Sequence, residues 1–465
     1  MSKGPSDEKI TSIQFEPPAT STVDRAGKKT IWVPSGYKSE GEEKLGFAKA
    51  EKLPEATERA KAMLPSIHLG GPSEMSVQFD EMVAIVQRAP ATADFPIEKY
   101  GLGPFGLTND LYFGHTFWDL DVWMVPAFLF INPSAAKSAA DYRLDRAAQA
   151  RRNFNEWAKG KNEAFELGGM IFPWESSVSG REVCIQKTRN QQHISGDVVW
   201  GLTQCEAFGL ANPTAVADVT RGVAQFYGMR SKQTARGREI LDVTSPNEKF
   251  EGDNDLYTNL LAEWCSNGRR WSPRPTYYVP KDQQSLLNYD NDPMRDYQQA
   301  AGLLAIYPLQ YPEAEREART MLERFGDKIS PNGPAMGHSV VATIWARLGE
   351  PEKAYAAWLD SWKPYTDNPN HYFSERRNVL RAYFYTGAAG AINTVIYGFA
   401  GFRIDRIPLP GAKWTKQLKS GWWLSVKPCV PKEIGQISMR GIVLDGKLYD
   451  FSMSSNGDFS VKPRL

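Results

Sequence analysis

Apolar positions recur at helical spacing through most of the chain. Val77, Phe79, Met82, Val83 and Val86 stripe one face of Ser76–Ala89, and Ala135–Gly160 predicts a long, charge-laced helix. Further helices are expected near residues 193–208, 214–230, 254–266, 292–306, 312–326, 336–348, 351–362 and 387–400. Asp121–Ile131 and a short piece near Asn378 bring the set to about a dozen helices, enough to pair as six hairpins. No sequence repeat accompanies the pairing, which argues against a solenoid. Near residue 405 the period changes. Gly421–Lys427, Gln436–Arg440, Gly446–Met453 and Asp458–Lys462 alternate or run as strands between Gly, Pro and Asn. Residues 1 to about 50 are rich in Pro, Gly, Ser, Lys and Glu and read as an irregular arm, with one strand at Thr30–Pro34. The class expected is mainly α, with an N-terminal arm over 1–75, a helical domain over 76–405 and a small β domain over 406–465.

Composition narrows the function. The 465 residues hold 55 basic and 54 acidic side chains, a balance that argues against nucleic acid or an anionic membrane as partner. The four cysteines, Cys184, Cys205, Cys265 and Cys429, show no paired spacing and read as buried free thiols. The five histidines lack ligand spacing, so no metal and no cofactor is expected. The N-terminus has no apolar signal core, and Met124–Ile131 is far shorter than a membrane span. A cytoplasmic protein is the expectation. The unusual entry is aromatic content, at 12% with 14 Trp.

Part of that surplus sits beside carboxylates in long polar connections, where function concentrates. Gly114–Asp121, Phe172–Glu182, Pro246–Asn254 and His371–Glu375 each join Trp or Phe to Asp or Glu. Aromatic faces take the apolar face of a sugar ring, carboxylates accept its hydroxyls, and a further pair of carboxyls acts as acid and base.

The order and spacing of these segments resemble glycoside hydrolase family 65. The resemblance runs through Gly114-His-Thr-Phe-Trp-Asp-Leu-Asp-Val-Trp-Met124, Pro133-Ser-Ala-Ala-Lys137 with Tyr142-Arg143, and Ile171-Phe-Pro-Trp-Glu-Ser-Ser-Val-Ser-Gly-Arg-Glu182. It continues with His193-Ile-Ser-Gly-Asp197, Ser245-Pro-Asn-Glu248, Asp253-Asn-Asp-Leu-Tyr-Thr-Asn259, Tyr307-Pro308, Gly333-Pro-Ala-Met336, Glu375, Thr386-Gly-Ala-Ala-Gly390 and Tyr397-Gly-Phe-Ala-Gly401. It implies an (α/α)6 barrel and an inverting enzyme that cleaves an α-linked glucoside, either a disaccharide or a glycoconjugate.

By the same resemblance Glu248 is the general acid and Glu375 the general base. Trp118, Asp119, Asp121, Trp174, Glu175, His193, Gln298 and Gln299 would bind substrate. Structural roles stay open beside these. Glu248 could cap the Asp253–Cys265 helix, Asp119 the helix after it, and Glu375 could pair with Arg376 or Arg377. Trp174 and Glu175 could be core, and His115 and His193 satisfied structural histidines. A phosphorylase is the competing activity, but a carboxylate at Glu375 would repel a phosphate dianion. A carbohydrate-binding pseudoenzyme is the third reading.

Three departures stand out. The family's usual Lys before this Gln is replaced by Gln298, a neutral donor, so glucose in the innermost subsite is not assured. The usual Gly-Gly is Ala389-Gly390, followed by Asn393 where Gln is usual. Only about 75 residues precede the matched region. The expectation is a homodimer with the arm reaching across.

Overall fold

The computed structural model describes residues 21–23, 29–31, 64–89, 97–106, 111–159, 168–184, 190–248, 251–368, 371–377, 379 and 382–464. The protein is mainly helical, with a small C-terminal sheet region. Two kinds of helix alternate. Val125–Ile131, His193–Ala207 and Tyr385–Asn393 are buried on every side, as is Leu256–Ser266 except at its last residue. These four have no polar face to give to water, and they form an inner set. Pro213–Arg230 and Pro351–Trp362 bury one face only and pack outside Leu256–Ser266 and Gly337–Arg347.

Local chemistry sets the helix ends. Asn132 accepts from the Ala135 N–H, Asn212 from Thr214 and Ala215, and Asp255 from Thr258, while Pro occupies the first turn at 133, 213 and 351. Asp255 therefore fills the capping role that was open to Glu248. Asp119 stands at the helix start, but its side chain makes no capping bond.

Two expected helices differ from the structure. The long helix over 135–160 is two, Pro133–Asp145 and Ala147–Ala158, broken at Arg146. The Arg146 guanidinium reaches the Glu98 and Lys99 carbonyls and lies 4.2 Å from the Tyr142 ring. Those tertiary bonds hold the break. The stretch 292–306 is helical only as a short 3-10 turn, Ala301–Ala305. Asp292 takes the Met294 N–H and the Tyr297 hydroxyl, while the Tyr297 N–H bonds to Lys328 O, so local and cross-chain partners displace the helix ladder. The piece expected near Asn378 lies outside the described residues.

The closing sheet has the expected strands Gln436–Leu444, Lys447–Ser454 and Phe459–Pro463, and a fourth from elsewhere in the chain. Ser66–Leu69 pairs antiparallel with Gln436–Arg440, its residues alternating between buried and open. A separate three-stranded sheet is formed by Phe402–Asp405, Trp423–Val426 and Trp414–Gln417. Phe402 packs edge-on against Phe130 at 4.8 Å and against Phe451 at 5.1 Å, which ties sheet to helices. Residues 29–31 do form a strand, paired with 21–23. Cys184, Cys205 and Cys265 are buried free thiols, and Cys429 is free and partly exposed. Among the described residues no helix is long and apolar enough to cross a membrane.

Candidate active site

Four segments, distant in sequence, converge where the inner helices begin. The first is Phe117-Trp118-Asp119. Asp119 is buried, and its Oδ1 accepts a 2.7 Å hydrogen bond from the Thr386 hydroxyl. Burial pushes its carboxyl up to about 7; the Thr386 bond opposes this, and the charges of Glu248 and Glu375 add to it. Trp118 is buried edge-on against His193 at 4.8 Å.

The second segment carries Glu248. Ser245–Glu248 is a turn closed by the Glu248 N–H on Ser245 O, and Glu248 has φ +60, a left-handed conformation that is costly for a residue with a Cβ. The Glu248 side chain keeps accessible surface, yet protein surrounds it closely enough for burial to raise its pKa. That combination describes the wall of a concavity. Gln191 and His193 favour its charged form, while the Glu375 charge favours the protonated one.

The third segment is Phe172–Glu182. Trp174 Nε1 donates to Gln191 Oε1 at 2.9 Å, and the ring stands edge-on to Phe117 at 4.9 Å. Glu175 is buried against His115 Nδ1 at 2.9 Å. Glu182 accepts the backbone N–H groups of Trp174, Glu175 and Cys184, which shapes the loop; burial pushes its pKa up to about 7. The fourth is Phe373–Glu375, fixed by the Ala335 N–H on Glu375 O.

The charges of Glu248 and Glu375 thus reach Asp119, that of Glu375 reaches Glu248, and all three act on Tyr112. Gln298 lies beside this group, its backbone N–H donating to Asn247 Oδ1 at 2.5 Å, and Gln299 is buried next to it. Other expected residues sit one layer back. Both oxygens of Asp121 are taken by Arg143, at 3.0 and 2.5 Å, so this carboxylate is an internal counter-ion. His193 is fully enclosed, with Nδ1 2.6 Å from Asp197 and Nε2 3.2 Å from Gln191. It orients Gln191, which in turn touches Trp174. Asn393 donates to Trp123 O at 2.8 Å and acts as a strut between helices.

Sequence reasoning missed Tyr112 and Gln191. Tyr112 has φ +59 and Phe113 φ +50, and the Tyr112 ring stacks on Phe105 at 5.9 Å and meets Phe117 edge-on at 5.0 Å. Neither residue lies in a periodic segment, so only three-dimensional proximity identifies them. Among the described residues no His, Cys, Asp and Glu group is arranged to hold a metal.

Clustered carboxyls with raised pKa values, beside aromatic rings, make a site suited to acid–base chemistry. Residues 85–269 match the model of the glycosyl hydrolase family 65 central catalytic domain. The chain is 28% identical over 352 residues to a kojibiose hydrolase of Mucilaginibacter mallensis, covering 70% of this chain and 50% of the relative. It is also 28% identical over 396 residues to a protein-glucosylgalactosylhydroxylysine glucosidase of Danio rerio, covering 78% and 56%. The chain spans about half the length of these curated relatives. Its fold is shared with a solved chain described as a kojibiose phosphorylase from the human microbiome, at TM-score 0.65 and 14% identity over 88% of this chain and 61% of that one.

Proposed function

We propose that the protein is an inverting α-glucoside hydrolase built on an (α/α)6 barrel, acting on a disaccharide or a glycoconjugate. The observation that carries this reading is the gathering of three carboxyls before inner helices, where Glu248 and Glu375 act on Asp119 and Glu375 acts on Glu248. Support for the barrel comes from the enclosed helices with amphipathic helices packed on them. Within it Glu248, kept protonated by burial, donates its proton to the glycosidic oxygen as the C1–O bond breaks. Glu375 removes a proton from a water that attacks C1 from the opposite face, so the α-linkage yields β-glucose. Such a pair stands about 6.5–9.5 Å apart to admit the water. Asp119 and Trp118 hold the sugar being transferred, with Trp174, Glu175, Gln298 and Gln299 around it. Asp121 and His193 act from behind, by anchoring Arg143 and Gln191.

We place the barrel at about 76–401 and assign the strand Ser66–Leu69 to the C-terminal β domain, with the arm before it. The assembly we favour is a homodimer, which light scattering would report as twice the chain mass.

The relatives named as hydrolases support hydrolysis over phosphorolysis, as does the carboxylate at Glu375, which would repel phosphate. The test is a panel of α-linked glucose disaccharides and glucosylated glycoconjugates, with and without inorganic phosphate, followed by proton NMR. The expected result is β-glucose appearing first, independent of phosphate. A sugar 1-phosphate as product would assign a phosphorylase. The Glu248→Gln variant should retain binding and lose turnover; wild-type kcat in that variant would remove Glu248 from the mechanism.

A further inference from the structure

A second cavity, of about 620 Å³, opens between the helices and the C-terminal sheets. Its position is opposite to the carboxyl cluster. Thr386, which bonds Asp119, begins the helix whose continuation ends at Tyr397 and Phe399, and Tyr397 lines this cavity. Some eleven residues of helical rise, from Thr386 to Tyr397, separate the two places by about 16 Å.

The wall is unevenly charged. Arg347, Arg403, Lys413 and Lys427 line it, against Glu315 and Asp458, a balance of four cations to two carboxylates. Arg403 is spoken for, since Glu315 takes it through two bonds of 2.6 and 3.0 Å. Arg347 is not. Its guanidinium lies 4.9 Å from the Tyr307 ring, with long contacts to Tyr397 O at 3.5 Å and Gln310 Oε1 at 3.3 Å. Among the described residues it has no carboxylate partner. Burial, and then the Arg403 charge, lower its pKa to about 10, with the Glu315 charge opposing them. Lys413 and Lys427 are exposed at the rim, also without ion pairs among the described residues. A half-buried guanidinium without an ion pair, offset only by the charge of a Glu315 that Arg403 already holds, is a site where an arriving anion is favoured. Ile344, Leu348 and Leu409 add apolar surface to the lining.

We propose that this cavity binds a phosphate monoester carried on an apolar or ring-shaped body, with Arg347 as its main anchor. A phosphate monoester supplies a charge of about −2, matching the two-cation excess, and accepts from a planar guanidinium fork. A volume of this size suits a whole small molecule and far exceeds a bare phosphate ion. Because its wall comes from both helices and sheets, the ligand would brace their junction. The inference stands apart from the catalytic reading.

The experiment is calorimetric titration of the full chain with phenyl phosphate, benzoate and benzyl alcohol. Phenyl phosphate is expected to bind at one site, more weakly as salt rises. Arg347→Gln should weaken it about tenfold, the scale of one charge-assisted bond, and Lys427→Gln, at the exposed rim, about two- to threefold. If Arg347→Gln does not fold by circular dichroism, Lys427→Gln and the salt dependence carry the test. Glu248→Gln should leave the affinity unchanged, which separates this site from the carboxyl cluster. Equal affinity for benzyl alcohol, equal affinity for benzoate, indifference to both basic-residue variants, or no binding at millimolar phenyl phosphate would each overturn the proposal.

Discussion

The Thr386 hydroxyl donates a 2.7 Å hydrogen bond to Asp119 Oδ1, joining two buried residues 267 positions apart. The bond closes the end of the helical array and fixes the charge state of a carboxyl in its middle. It favours the charged form of Asp119 against burial and against two nearby carboxylates.

Removing that donor shifts the balance in one direction. Thr386→Val should raise the Asp119 pKa above its wild-type value of about 7. A hydrogen bond to a charged group is worth about 1.5–3 kcal/mol, which corresponds to roughly one to two pH units. The kcat/KM pH profile should carry the change as an alkaline displacement of its lower limb, and Thr386→Ser should restore it. A profile that does not move in Thr386→Val would mean that Asp119 does not govern that limb.

The same carboxyl makes stability depend on pH. Unfolded, Asp119 titrates near 3.8; folded, near 7. Between those values the folded protein holds a proton that the unfolded chain has released, so its unfolding free energy falls as pH rises. The advantage of the protonated form is complete below about pH 4 and lost through pH 7. Glu182, at about 7, and Asp255, at about 6, act in the same sense. Asp119→Asn cannot ionise, so it isolates one contribution. Urea denaturation should show the variant more stable than wild type at pH 8, by about 1–4 kcal/mol, with a much smaller gain at pH 5. An equal gain at both pH values would assign the effect to packing.

The backbone at Glu248 makes a separate prediction. A residue with a Cβ at φ +60 carries about 1–2 kcal/mol of strain that glycine avoids. Glu248→Gly and Glu248→Ala both remove the carboxyl, and both should be inactive. The glycine variant should nevertheless be the more stable, by about 1 kcal/mol in denaturant titration. If the alanine variant is equally stable, the left-handed conformation costs nothing, and the strain attributed to this turn is absent.

What the sequence displayed and what it hid divide along physical lines. Helices that bury a stripe or a whole surface announced themselves by period, and the boundaries at 193–207 and 351–362 came within a residue. The carboxyl-bearing loops were legible because aromatic and acidic residues sit together in the chain, as in Trp118-Asp119 and Trp174-Glu175. Relations made only in space were not. Nothing local marks Tyr112 for its left-handed backbone, or Gln191 for its place between Trp174, His193 and Glu248. The break at Arg146 depends on two carbonyls nearly fifty residues earlier. Ser66–Leu69, four residues long, becomes a strand because Gln436–Arg440 offers it an edge. The resemblance placed Asp121 with Asp119 among the substrate-binding residues; Arg143, a helix away, is what sets Asp121 apart.

That separation can be tested through the Asp121–Arg143 pair, whose side chains are almost wholly enclosed. Removing one partner leaves a charge with no counter-ion in a dry place. Arg143→Met should therefore destabilise the fold by about 3–5 kcal/mol. The double variant Asp121→Leu with Arg143→Met removes both charges and should recover much of the loss, because an apolar pair of similar volume has no desolvation penalty. The second signal is activity. Arg143 also donates to Phe117 O at 3.0 Å, so it holds the segment that carries Trp118 and Asp119. Recovery of stability without recovery of kcat would show the pair acting as the anchor of that segment. If instead the double variant regains full kcat, the hydrogen bond to Phe117 has no part in placing Asp119, and the neighbouring helices alone fix its position.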